Sequence, residues 1–223
     1  MLTGAVIAPL FYVALWAAQA FTREGFRPTF HPLSLLSLGD AGWVQVLNFV
    51  ITGLLLVGGS VGLRRALPAG HLARGASVLV ALMGVGLVVA GLFPTDAGAG
   101  FPAGAPEGAP SMSWHGIVHE VGFVLTQLAF LAAAIVLAVY FARSERRGLM
   151  VTSIAAALVA LCVVAIGDPE TMAIRLLVSA AVELALISVL ALGCLLAPTR
   201  EEAAYDEPHG SPIGSRSHVR GTR

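Results

Sequence analysis

Lysine is absent from these 223 residues, and all thirteen basic side chains are arginine. Charge of either sign is scarce. It makes up 12% of the chain, where a soluble domain carries roughly twice that. The two signs cancel, and no basic patch interleaves with aromatics, so nucleic acid is not expected as a partner. Cysteine occurs only as Cys162 and Cys194, in separate apolar runs. Counted along their helices these lie at depths of about 8 and about 35 Å from one end, too far apart for a disulfide or a shared metal. There is no glycine-rich phosphate loop, nucleophile elbow or haem-attachment motif. Only His119 is expected to be a buried histidine, so paired-histidine haem ligation is also disfavoured.

What the chain does have is long apolar runs. Hydrophobic residues make up 57% of it, in six blocks near 3–21, 43–63, 73–93, 114–141, 149–167 and 171–196. Each is long enough to cross a hydrocarbon layer about 30 Å thick. Lipid leaves no water for unpaired backbone groups, so the spans are helices. The fold class is therefore all-α: one bundle of six transmembrane helices over 1–198, followed by a polar tail over 199–223 expected to be disordered in the cytoplasm. Ala18-Gln19-Ala20 resembles a signal cleavage site, but no positive charge precedes the first span, so that span is expected to be retained. The Arg, Ala and Gly bias points to a GC-rich bacterial genome.

The arginines set the expected orientation. Arg64, Arg65 and Arg74 flank the second connection; Arg143, Arg146 and Arg147 the fourth; Arg200, Arg216, Arg220 and Arg223 lie in the tail. Against this pattern stand only Arg23 and Arg27 in the first loop. Both termini are thus expected in the cytoplasm of a cell (cytoplasmic) membrane, with loops one, three and five outside. Trp16, Trp43 and Trp114 would form an outer belt. The first loop, with "FHPLSLLSLGDAGW" at 30–43, is expected to fold back on the outer face. The third, residues 97–113, reads as an unstructured Gly/Ala/Pro loop. Gly58 with Gly62, the glycines at 84, 86 and 91, and Ala156 with Ala160 mark close helix packing. His71, His209 and His218 are expected to be solvated.

Polar groups gather within about 8 Å of the outer ends of the spans. They are Gln45, Asn48, Asp96, His115, His119, Glu120 and Arg175, with His31, Ser34 and Ser37 in the loop above. A stray charge in hydrocarbon costs several kcal/mol, so Arg175 is expected to pair with Glu120 or to clamp an anionic headgroup. His115 and His119, four apart in "SWHGIVHEVG", share a helical face with Gly122 and Thr126. A zinc ion on this pair would take His31 or Asp96 as a third ligand. However, the metalloprotease helix places Glu directly after its first His, and here Gly116 stands there. The alternatives are that both histidines are structural, or that they bind a proton or another ligand. Glu183, about 19 Å down the last span, is a proton or cation site, or else a carboxyl hydrogen-bonded between helices, with Gln127 at similar depth.

The stretch "HPLSLLSLGDAGWVQVLNFVITGLLLVGGSVGLRR" (31–65), followed by "GLFPTD" (91–96) and a helix opening with His, resembles the family called domain of unknown function 998. That resemblance implies a bacterial or archaeal membrane protein of about six spans and implies no activity. A more distant similarity is to the alkaline ceramidase and adiponectin-receptor superfamily, which holds zinc with Ser, Asp and HxxxH; those proteins have seven spans and carry the motif on the last. Three function classes follow. One is binding of a lipid headgroup, small molecule or partner protein in an outward polar cleft, with no enzymatic activity. The second is a small proton- or ion-coupled transporter. The third is a metal-dependent lipid hydrolase.

Overall fold

The computed structural model describes residues 1–166 and 168–196; the polar tail over 199–223 lies outside them. Six helices form in chain order: α1 Leu2–Ala20, α2 Gly42–Ala66, α3 His71–Leu92, α4 Trp114–Arg143, α5 Arg147–Ala165 and α6 Met172–Leu196. All six are long and apolar enough to cross a membrane, so the chain is a multi-pass membrane protein. Their ends follow local chemistry. Leu67 turns extended before Pro68, ending α2. Phe93 leaves the helical region before Pro94, ending α3. Ser113 caps α4, its hydroxyl accepting from the Gly116 amide at 3.1 Å. Pro9 sits inside α1, where its ring disturbs the backbone bonds of the preceding turn. Ser188 of α6 donates to the nearby Val6 carbonyl at 2.9 Å.

Each helix packs on its neighbour in sequence, and α6 returns against α1, so the six close into a ring. The broadest seams lie on either side of α3. There, backbones meet where side chains are missing. A Cβ on Gly53 would stand 2.5 Å from the Gly84 carbonyl, and one on Gly86 would stand 2.6 Å from that of Gly122. Such approach gives the dispersion contact that replaces the hydrophobic effect between helices in lipid. Gly58, expected in this role, has open space beside it. Its neighbour Gly59 meets Ala5 of α1, and Gly62 meets Leu2.

One end of the ring carries the connections after α1, α3 and α5, here termed the lid end. The exposed Arg65, Arg74, Arg143, Arg146 and Arg147 mark the other end. A 3₁₀ turn, Leu33–Ser37, folds back over the lid end with Leu35 and Leu36 buried. Residues 97–113 are not the unstructured loop their composition implied. Gly98 bridges to Phe101, and the Ala99 and Gly100 amides donate to Gly108 and Pro106. Phe101 is buried with Trp16, Phe26, Leu35 and Leu36. Trp16 therefore belongs to this inner cluster and not to an exposed belt; Trp43 and Trp114 remain exposed.

Candidate functional site

The lid is joined by two polar clips. The Arg23 guanidinium donates to the carbonyls of Leu36, at 3.2 Å, and Leu38, at 2.6 Å. It also lies over the Phe101 ring. This structural duty accounts for an arginine on the otherwise arginine-poor side. His31 ties the first loop to the third. Its Nδ1 accepts from the Arg27 amide at 2.9 Å, so Nε2 carries the proton and donates to the Ala99 carbonyl at 3.0 Å. Burial, only partly offset by that carbonyl, pushes the His31 ring below its ordinary range.

Below the lid, both histidines of the HxxxH pair hold the end of α3. The carbonyls of a helix's last turn have no intrahelical donor. His119 Nδ1 lies 2.9 Å from the Ala90 carbonyl and 3.0 Å from that of Phe93. His115 Nδ1 lies 3.0 Å from the Pro94 carbonyl. Nδ1 facing only acceptors must be the donor in both rings. Asp96 accepts from the Ser113 amide at 2.8 Å, and His115 Nε2 approaches it at 3.8 Å. The Ser113 hydroxyl and amide, with His115 beyond, hold the Asp96 carboxyl below the usual range. Its carboxylate occupies the space that a side chain on Gly116 would need. The missing side chain at Gly116 is what leaves room for that carboxylate.

Nδ1 of His115 and His119 on carbonyls is an arrangement that metal-bound histidines also use, with Nε2 as the ligand. The third ligand is what is missing, because both nitrogens of His31 are bonded elsewhere. Among the described residues, no three His, Cys, Asp or Glu side chains gather closely enough to hold an ion.

Arg175 does not pair with Glu120. It donates to the carbonyls of Val163, Val164, Ile166 and Asp168, at 2.7–3.3 Å, and so closes the end of α5. Gln45 and Asn48 belong to the α1–α2 wall. Gln45 accepts from Gln19 at 2.8 Å, and Asn48 donates to the Tyr12 carbonyl at 3.0 Å. Both are fully buried.

Inside the ring lies a cavity of about 580 Å³, lined by residues of all six helices and of both lid loops. It extends down to Leu56 on α2 and Leu184 on α6, about 20 Å below the lid at 1.5 Å per residue. Its walls are mainly apolar: Phe49, Leu56, Met83, Leu87, Phe123 and Leu176 are typical. Of the residues expected in a cleft, Ser34, Asp96, His119, Glu120, Gln127 and Glu183 line it; His31, Gln45, Asn48, His115 and Arg175 do not. Tyr12 and Glu107 also line it and escaped the sequence reading. Tyr12 lay inside an apolar run, and Glu107 inside a low-complexity loop. Between α4 and α5 the wall is thin: Phe123, Gln127 and Val164 line both the cavity and a groove on the outer surface of the ring.

Near the floor, Glu183 is 2% exposed. Its Oε1 accepts from Ser179, one turn earlier on α6, at 2.7 Å, and Gln127 of α4 reaches the same hydroxyl at 3.5 Å. The i, i+4 spacing of Ser179 and Glu183 was readable in the sequence.

A family model described as "Protein of unknown function (DUF998)" matches residues 6–197. No curated protein and no solved structure matches the chain.

Proposed function

As the chain belongs to the DUF998 family of proteins of unknown function, we propose its role from the cavity: it is a binding protein for an amphiphile, held inside the ring of helices. The observation that carries this reading is the size and lining of the cavity. About 580 Å³ falls within the roughly 300–1,000 Å³ of small-molecule sites. Left without an apolar occupant, its walls forfeit dispersion contact. Water does not fill mainly apolar cavities well. An apolar chain with a polar head restores both the lost dispersion contact and the hydrogen bonds.

The distribution of arginines supports a topology with both termini in the cytoplasm and the lid on the outer face of a bacterial cytoplasmic membrane. The ligand would then come from the outer leaflet or the external medium, and the thin wall at Phe123 and Val164 offers a route from lipid. Binding is favoured over transport because the ring is filled below Glu183. Leu63, Val80, Leu137, Phe141 and Leu190 are all buried there. Metal-dependent hydrolysis is less supported, because no third donor joins His115 and His119 among the described residues.

The test is native mass spectrometry of protein extracted in mild detergent. The expected result is one retained amphiphile per chain, lost when Ala180→Trp or Leu87→Trp fills the cavity. Equal retention in the filled variants would overturn the reading.

A further inference from the structure

Charge within the cavity is one-sided. Asp96, Glu107, Glu120 and Glu183 all line it, at levels from the lid to the floor. No arginine is among its described lining residues, and the chain has no lysine. The arginine closest along α6, Arg175, stands two turns above Glu183 with its guanidinium on four carbonyls. The other polar groups add acceptors. His119, whose ring borders the cavity, has its Nδ1 on carbonyls, so its remaining nitrogen, when the ring is neutral, is an acceptor. Tyr12, 3% exposed, lines the cavity and adds a hydroxyl.

A carboxyl in a dry apolar wall is stable in two forms, protonated or paired with a cation. Ser179 satisfies one oxygen of Glu183, and nothing in the described chain supplies a counter-ion. A ligand that brings the cation completes the site. The apolar walls above Glu183 accommodate a chain, and the acidic mouth raises the local concentration of cations before entry. A phosphate or carboxylate headgroup would instead meet like charge throughout.

Resting on the amphiphile-binding reading, we infer that the ligand is a cationic amphiphile, an alkylamine-type cation whose ammonium group pairs with Glu183 beside Ser179, Gln127 and the Tyr12 hydroxyl.

The test uses three probes of matched chain, dodecylammonium, dodecanol and dodecanoate, titrated at pH 7 into the delipidated full-length protein and read by native mass spectrometry. Dodecylammonium is expected to bind at least about tenfold more tightly than dodecanoate, the worth of one charge-assisted hydrogen bond. Glu183→Gln, which keeps the Ser179 bond, is expected to lose about that tenfold for the ammonium and to leave dodecanol nearly unchanged. Glu183→Asp keeps the charge and is expected to recover the preference, which separates loss of charge from loss of fold. Equal binding of dodecanoate and dodecylammonium, or an unchanged ammonium affinity in Glu183→Gln, overturns the inference while leaving amphiphile binding in place. If no probe of any charge binds saturably, the amphiphile reading itself fails.

Discussion

His119 holds the end of α3: its Nδ1 lies 2.9 Å from the Ala90 carbonyl oxygen. Ala90 stands in the last turn of its helix, where intrahelical donors run out, and the Phe93 carbonyl shares the same donor at 3.0 Å. His119→Phe keeps the ring and removes the donor. It is expected to lower stability by about 1–3 kcal/mol, the cost of buried acceptors left unpaired, measured as a fall in Tm in detergent or nanodiscs. Treatment of the wild type with EDTA is expected to leave Tm unchanged. A chelator-sensitive Tm that His119→Phe abolishes would mean that the pair holds a metal.

Lid closure should depend on pH through His31. Its pKa is lowered from the ordinary 6.5, so the unfolded or open lid binds the proton more readily than the closed one. The stabilisation is fully present above pH 6.5 and is lost as pH falls below that value toward the lowered one. Protonation also removes the acceptor used by the Arg27 amide. Hydrogen exchange over residues 27–38 and 97–101 is expected to accelerate as pH falls from 7.5 to 5.5, read after correction for intrinsic rates. His31→Gln should abolish the difference.

Arg175→Ala separates stability from binding. The guanidinium caps α5 through four carbonyls and does not line the cavity. Loss of the cap is expected to lower stability by about 1–3 kcal/mol with no change in retained amphiphile. A headgroup clamp would give the reverse, loss of ligand with little change in Tm.

The α3 seams should tolerate no side chain. Gly86→Val would drive its Cβ into the Gly122 carbonyl and Thr126, and overpacking of this kind costs about 1–3 kcal/mol or more. Gly58→Val, with open space beside it, is expected to be near neutral. Thermal unfolding of the two variants side by side checks the contrast.

Topology is checked by accessibility. In a background with Cys162→Ala and Cys194→Ala, Ala105→Cys in the third loop is expected to react with a membrane-impermeant maleimide on intact cells. Ser144→Cys, at the arginine-rich end, is expected to react only after lysis. The reverse pattern would place the lid in the cytoplasm.

The six spans were legible because lipid demands a continuous apolar stretch of about 20 residues, a local property. Glu183 and Gln127 were legible for the same reason: polarity stands out against hydrocarbon. The cavity was not legible. It depends on α6 returning to α1, a relation between residues as distant as Val6 and Ser188, and nothing local records ring closure. The partners of the polar groups were misjudged because sequence gives depth and not direction. Glu120 and Arg175 share a level, yet Arg175 found the four carbonyls ending its neighbouring helix. Composition also concealed the order in residues 97–113, where one aromatic, Phe101, anchors a loop of small residues.

The most direct measurement is a density map of the protein taken from its membrane in a copolymer disc, without detergent. The expected result is elongated non-protein density inside the ring, running from beneath Ser34 to Glu183. Helices closed over that space, with Tyr12 and Glu183 packed against α4 and no room between, would contradict it.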